Sequence, residues 1–325
     1  MRPTILLSLF LSASLIVPDD ACAQNAVVEN INSYGTFDRW CVREIKESGI
    51  IGGNIEYLYE FYGNQDTLRT GRAPYVAPED YIWRTNNVLA IVAGVVKTSN
   101  TVYPEKRDEG WCARIETHIE EVKALGILDM SVTCQGAMMV GVLPEPITTT
   151  RDPMSKVLYG VPFEGFPKAL RFDYKAEVGN EAIRGTGFSK LKKLGYPDYA
   201  EVTVMLLKIW EDESGEVHSL RVGTGIERIM EDAPDWINGH EIAIRYGDIT
   251  GDADYQEYMG LKNDPETAYH IRNSRGRDVV IHEDGWAEEG TEPNHIMIHF
   301  LTSCGRAFYG GVGNTLWIDN VELVM

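Results

Sequence analysis

The sequence is short of positive charge. Its 325 residues carry 30 Lys and Arg against 49 Asp and Glu, a formal net charge of −19 at pH 7. A surface this acidic lacks the basic patches that displace counterions from nucleic acid or crowd against anionic lipid, so neither is an expected partner. Cysteine is scarce too. The chain has Cys22, Cys41, Cys112, Cys134 and Cys304 and no Cys-x-x-Cys pair, which argues against thiolate zinc sites and thioredoxin-like redox chemistry. Long apolar runs are missing apart from Ile5 to Val17, which Pro18-Asp19-Asp20 ends before the roughly 20 residues a spanning helix requires, so no transmembrane segment is expected. Helix-period patterns are few, and there is no internal repeat or low-complexity tract. Strands that do not alternate with helices exclude a doubly wound sheet, and with it the usual seat of a nucleotide cofactor.

The single apolar run has the form of an export leader. Arg2 supplies a minimal positive start, Ile5 to Val17 the apolar stretch, and Ala21-Cys22-Ala23 a small-x-small cleavage pattern. Residues 1–23 are therefore expected to be a signal peptide and 24–325 one exported domain, placed in the periplasm, on the cell surface or in the medium. The alternative is a lipoprotein anchored through Cys22, although Asp19 and Asp20 stand where a lipobox has Leu and a small residue. Four cysteines remain after cleavage. Export permits disulfides among them, Cys112 with Cys134 costing the least chain entropy, while buried free thiols are the other possibility.

What is abundant is two-residue periodicity. Segments 88–96, 111–121, 130–142, 168–178, 201–211, 219–229, 241–247, 294–302 and 314–324 alternate or run apolar and are rich in β-branched and aromatic residues, which predicts about nine strands. Residues 188–195 read as a short helix, and 37–48 fit helix or strand. Turn-rich connectors such as 247–254 and 283–294 separate the strands without dividing the chain. The chain closes with a glycine-rich turn, Gly310-Gly311-Val312-Gly313, feeding an alternating strand through Ile318-Asp319-Asn320-Val321. Strict alternation would place Leu316, Ile318, Asn320 and Glu322 on one face and Trp317, Asp319, Val321 and Leu323 on the other. The expected fold is all-β: an antiparallel β-sandwich of jelly-roll type with long loops.

Five segments in consistent order carry a family resemblance. They are Trp40-Cys41-Val42-Arg43-Glu44-Ile45-Lys46-Glu47-Ser48-Gly49-Ile50-Ile51-Gly52-Gly53, Trp83-Arg84-Thr85-Asn86-Asn87-Val88, Gly110-Trp111-Cys112-Ala113-Arg114-Ile115-Glu116-Thr117, Gly160 to Leu170 with Tyr174-Lys175, and the closing strand. In these the chain resembles proteins with the putative carbohydrate-metabolism domain (PCMD), exported β-jelly-roll proteins of Bacteroidota. The resemblance implies carbohydrate handling. Members often carry Tyr-Tyr-Lys-Tyr where this chain has Phe172-Asp173-Tyr174-Lys175-Ala176, one stacking aromatic fewer.

Candidate site residues follow from strand faces. A continuous strand over 112–121 puts Arg114, Glu116, His118 and Glu120 on one face at about 7 Å per step, and 168–177 puts Arg171, Asp173 and Lys175 together in the same way. The two strands could form a polar cleft wall or a solvated face of cross-strand ion pairs. As a catalytic wall, Glu116 and Asp173 would serve hydrolysis as acid and base or nucleophile. His118 would instead serve as the base in eliminative cleavage of a uronic-acid polymer, with Arg114, Arg171 or Lys175 neutralising the substrate carboxylate. Binding alone needs flat aromatics among planar polar groups, for which Trp83 with Asn86 and Asn87, and Trp286 in an acidic loop, are the candidates. Trp210 and Trp317 read as packing residues.

No cofactor is expected beyond a structural calcium. Asp248, Asp252 and Asp254 form an oxygen-rich loop without EF-hand order. Asp319 is the other candidate, since jelly rolls that resemble this closing strand often hold calcium through such an aspartate. His240, His295 and His299 lack zinc spacing, and the last two share a strand face. The expected function is glycan binding accessory to polysaccharide breakdown, with an oligo- or polysaccharide as partner. A glycoside hydrolase or polysaccharide lyase is the first alternative and a structural or adhesion module the second.

Overall fold

The computed structural model describes residues 20–325 except 63–65, 79–80, 125–127, 150–153 and 188, so most of the expected leader lies outside it. The architecture is a β-sandwich. One sheet is five-stranded and antiparallel, in the order Ala233–Ala243, Ala169–Glu177, Thr315–Val324, Gly110–Glu116, Val102–Arg107. The facing sheet is ten-stranded, and its central strands are His295–Leu301, Ala200–Glu211 and Val217–Ile229.

The core between the sheets is built by alternation. Leu170, Phe172, Tyr174 and Ala176 from one sheet meet Val202, Val204, Leu206, Ile296, Ile298 and Phe300 from the other. The remaining residues of the central strands face the opposite way into a second core, which includes Met139, Tyr159, Met205, Leu207, Tyr269 and Met297. Burial on both faces explains why 202–207 runs apolar almost without interruption. The ten-stranded sheet curls around that second core. From Val217–Ile229 the ladder passes in parallel to Asp278–Trp286, then to His270–Arg272, in parallel again to Leu158–Tyr159, and on to Ala137–Val142. The last of these pairs back onto His295–Leu301, Met139 opposite His299, so the hydrogen-bonded circuit closes. The antiparallel β-sandwich expected is present, and the parallel pairings and the closure of the circuit are additions to it.

Several local expectations are corrected. The strand expected over 112–121 breaks at Thr117. Its hydroxyl bonds that of Thr302 at 2.8 Å and its N–H donates to Asn314 O at 2.9 Å, and beyond it His118–Ala124 joins a separate sheet with Leu128–Cys134. The closing strand carries a bulge. Asn320 adopts φ 49°, tolerable for asparagine, and the register shifts between Asp319 and Glu322. Leu316, Ile318, Val321 and Leu323 therefore all enter the first core. Lys192–Pro197 is a strand rather than part of a helix, and Trp40–Lys46 is a strand.

The α-helix is at the front, Asp20–Tyr34, and runs through the expected cleavage site. Ile31 enters the first core, and Asn32 clamps the closing strand by accepting from Leu323 N at 2.8 Å. Gly35 is required there, because a Cβ would stand 2.1 Å from Val321 O. Cys41, Cys112, Cys134 and Cys304 are free thiols.

Candidate functional site

Inside the curl of the ten-stranded sheet lies a groove of about 440 Å³, within the range of small-ligand sites. Adjacent strands supply its floor, with Met139, His299 and Glu201, because inward residues recur every second position. Tyr159, Tyr258, Lys262 and Tyr269 also line it, as do Asn86, Cys134, Gln135 and the 303–308 loop.

His299 is the least satisfied group in the groove. It is 1% exposed, and neither ring nitrogen has a hydrogen-bond partner. Its ring is wedged between Tyr159 and Tyr269, at centroid distances of 5.7 and 5.6 Å. On the neighbouring strand Thr203 sits opposite it, and the Thr203 hydroxyl is also buried without a partner. Burial, with the nearby Lys262 charge adding to it, pushes the His299 pKa down to about 3. The side chain is therefore a neutral imidazole, one donor and one acceptor, at any ordinary pH. His295, four residues earlier on the same face, donates from Nε2 to Tyr159 O at 3.2 Å, and burial lowers it to about 4.

Charged groups around the floor are held by a buried network. Arg221, fully buried, donates to both Glu283 carboxylate oxygens at 2.6 Å. Glu283 also accepts from Lys262 N at 2.6 Å, and Asn263 brackets the Glu283 backbone from both sides. The Lys262 loop is thereby fastened to the sheet. The Lys262 ammonium donates to Tyr258 O at 2.6 Å, and burial lowers its pKa, with Arg221 and Arg228 contributing. Arg228 donates to Glu201 at 2.9 Å and lies over the Tyr258 ring at 4.2 Å. Arg306 pairs with Glu266 at the mouth. Among the described residues, both carboxylates lining the groove are thus engaged by arginines. Burial pushes the Cys134 and Cys304 thiols up to about 11, so they are poor nucleophiles here.

The residues singled out from sequence lie mostly elsewhere. Arg114, Arg171, Asp173 and Lys175 occupy the outer face of the five-stranded sheet, in a mesh of cross-strand pairs. Arg171 pairs with Glu241 at 2.6 Å and Glu322 at 2.8 Å, and Arg114 with Glu116 and Glu105. Lys175 stands over the Trp317 ring at 4.5 Å. Burial would raise the Asp173 pKa, but donors from Asn320, Gly239 and Arg107 outweigh it and hold the carboxyl below its ordinary value. Glu116 and Asp173 do not form a glycosidase pair. The closing strand separates theirs, and Glu116 is level with Glu177, four residues from Asp173. Strand spacing and rise then put their Cα atoms about 16 Å apart, beyond either carboxyl separation for hydrolysis. His118 belongs to another sheet, 3.4 Å from Glu120, so the expected wall of Arg114, Glu116 and His118 is not continuous.

Trp83 was expected on a loop but lies in Trp83–Thr85, fully buried against Phe37 and Phe300, with no ring face left for a ligand. Asn87 is buried as well, stapling Tyr59 O and Val102 O at 2.7 and 2.8 Å. Asn86 does line the groove, its amide donating to Gln135 O at 2.8 Å. Trp286 ends a strand rather than sitting in a loop, with Arg221 over its ring at 5.7 Å. Trp210, expected to pack, is 41% exposed and stacked on His218.

Arg107 bridges Asp319 and Asp173 at 2.8 Å each, and burial raises Asp319 to about 6. Asp252 and Asp254 pair with Arg245, and Asp248 accepts from Thr250. Among the described residues no group of three or more His, Cys, Asp or Glu is arranged to hold a metal.

Sequence reasoning missed Tyr159, Glu201, Tyr258, Lys262 and Tyr269 because they come from distant segments without a motif. The one available signal was His295 and His299 sharing a face of an apolar strand.

Among the described residues no helix is long and apolar enough to cross a membrane. No protein-family profile matches the chain, and no curated protein matches it. Two solved structures align over most of the chain. A putative glycoside hydrolase from Bacteroides thetaiotaomicron is 15% identical, covers 84% of this chain and 81% of its own, and has a TM-score of 0.41. A putative glycoside hydrolase from Bacteroides vulgatus is 16% identical, covers 89% of this chain and 96% of its own, and has a TM-score of 0.43. Likeness of this extent leaves the functional reading to the groove.

Proposed function

We propose that the chain is an exported glycan-binding protein, accessory to polysaccharide breakdown, and that the groove beside His299 is its binding site. The observation that carries the reading is the pair of buried, unpartnered ring nitrogens of His299, Nδ1 and Nε2, on the groove floor, with the unpartnered Thr203 Oγ1 on the strand beside it. Each unmet polar group costs about 1–3 kcal/mol in the folded protein, a cost that a hydroxyl-rich ligand reaching them would offset. Tyr258 and Tyr269 add ring surface for the apolar face of a pyranose, and Gln135 and Asn86 are planar amides at the rim. The sequence resemblance to the PCMD family points the same way. Binding is favoured over hydrolysis because Glu201 and Glu266, the carboxylates lining the groove, are both engaged by arginines.

The test is calorimetry and product analysis on a polysaccharide and oligosaccharide panel. Saturable binding that Tyr269→Ala and His299→Leu each weaken at least tenfold, without new reducing ends or unsaturated products, supports the reading. Turnover would replace it with the hydrolase or lyase alternative, and no affinity across the panel would leave the adhesion alternative.

A further inference from the structure

The groove has an unbalanced charge. Among the described residues four cations line it, Lys156, Arg228, Lys262 and Arg306, against the carboxylates of Glu201 and Glu266. Two of the cations are neutralised, Arg228 by Glu201 at 2.9 Å and Arg306 by Glu266 with Asp264 at 3.2 Å. Lys262 and Lys156 have no carboxylate within ion-pair distance among the described residues. Lys262 is the more telling of the two. Lys262 is half-buried, the contact of its ammonium is one backbone carbonyl, and it lies close enough to His299 to act on its charge. A partly desolvated cation without a paired carboxylate is costly. The Glu201 and Glu283 charges act on Lys262 from beyond ion-pair distance but are themselves paired with Arg228 and Arg221, and such a lysine is unexpected in a chain whose net charge is −19. Such a chain has acidic side chains to spare, yet none of the described ones pairs with either lysine.

We infer that the occupant of the groove is an acidic glycan, whose anionic substituent supplies the counter-charge to Lys262 while His299 meets its hydroxyls. This rests on the groove being the glycan site. A carboxylate or a sulfate presents the same chemistry to an ammonium, an anion with several acceptor oxygens. Lys156 adds long-range attraction, so affinity depends on ionic strength.

The experiment uses the whole protein and matched ligand pairs: uronic-acid oligosaccharides beside their carboxyl-reduced counterparts, and sulfated oligosaccharides beside desulfated ones. Binding is measured by calorimetry at low and high salt. The variants are Lys262→Gln, Lys262→Arg, Lys156→Gln and Tyr269→Ala, each confirmed to be folded at the assay temperature by its thermal midpoint; Lys262→Met replaces Lys262→Gln if the latter is not. One acidic member is expected to bind at least tenfold tighter than its neutral partner. Lys262→Gln should remove most of that preference, Lys262→Arg should keep it, and added salt should weaken it. The pair showing the preference identifies carboxylate or sulfate. Neutral sugars that bind as tightly as acidic ones, lost in Tyr269→Ala but untouched in Lys262→Gln, would overturn the acidic assignment and leave the groove standing. Absence of binding by every member, or binding that Tyr269→Ala does not weaken, would overturn both.

Discussion

Lowering the pH from 7 to 4 should reveal the buried histidines as a measurable loss of stability. His299 falls from its ordinary 6.5 to about 3 and His295 to about 4, in both cases through burial first. A depressed pKa means that below 6.5 the unfolded chain takes up a proton the folded chain refuses. The stabilisation is complete above that value and is lost as the pH falls toward the folded pKa. Each unit is worth about 1.4 kcal/mol, so over the roughly 2.5 units from 6.5 to 4 each histidine forfeits about 3 kcal/mol. Glu60 works in the opposite sense. Burial, with the Glu145 charge adding to it, raises its carboxyl to about 8, so its contribution grows as the pH falls from 8 toward 4.5. A comparison of variants isolates the histidine effect. His299→Met keeps most of the volume and removes the titration, so its loss of unfolding free energy between pH 7 and pH 4 should be about 3 kcal/mol smaller than that of the wild type. Urea unfolding at a series of pH values, followed by tryptophan fluorescence, measures the difference. Parallel curves for the two proteins would refute a neutral, desolvated His299.

Three other outcomes are expected. Glu60→Gln should gain on the wild type as the pH rises from 5 to 8, by up to about 4 kcal/mol in urea unfolding, since the wild-type carboxyl must stay protonated in the fold. Arg221→Met should cost about 3–5 kcal/mol by leaving Glu283 buried without its partner, and Arg221→Met with Glu283→Leu should recover much of that loss in the same assay. Trp83→Ala should cost about 3–5 kcal/mol through the cavity opened beside Phe37 and Phe300, read as a lower thermal midpoint in calorimetry.

Strands with one wet face were legible in the sequence, and the sandwich followed from them. Ala169–Glu177 and Val217–Ile229 lie close to where two-residue alternation put them. What stayed hidden has physical causes. A break such as Thr117 leaves the pattern intact while redirecting the chain, because the hydrogen bonds that turn it come from Thr302 and Asn314, distant in sequence. The Asn320 bulge inverts the faces of Val321 and Leu323 with one left-handed residue, which composition does not announce. Strands such as Leu158–Tyr159 are too short to show any period, yet they close the circuit around the second core. The front helix begins in the last residues that read as leader and continues past the expected cleavage site, and Trp83 sat among polar neighbours that suggested a loop. The groove was least legible of all, since Glu201, Lys262 and His299 meet only after the sheet curls.

The most direct test of the central claim is the structure of the protein with whichever oligosaccharide it binds. The account predicts a sugar inside the curl of the ten-stranded sheet, hydrogen-bonded to His299, against Tyr269, with its anionic group at Lys262. A sugar on the outer face of the five-stranded sheet, over Lys175 and Trp317, with the groove empty, would contradict it.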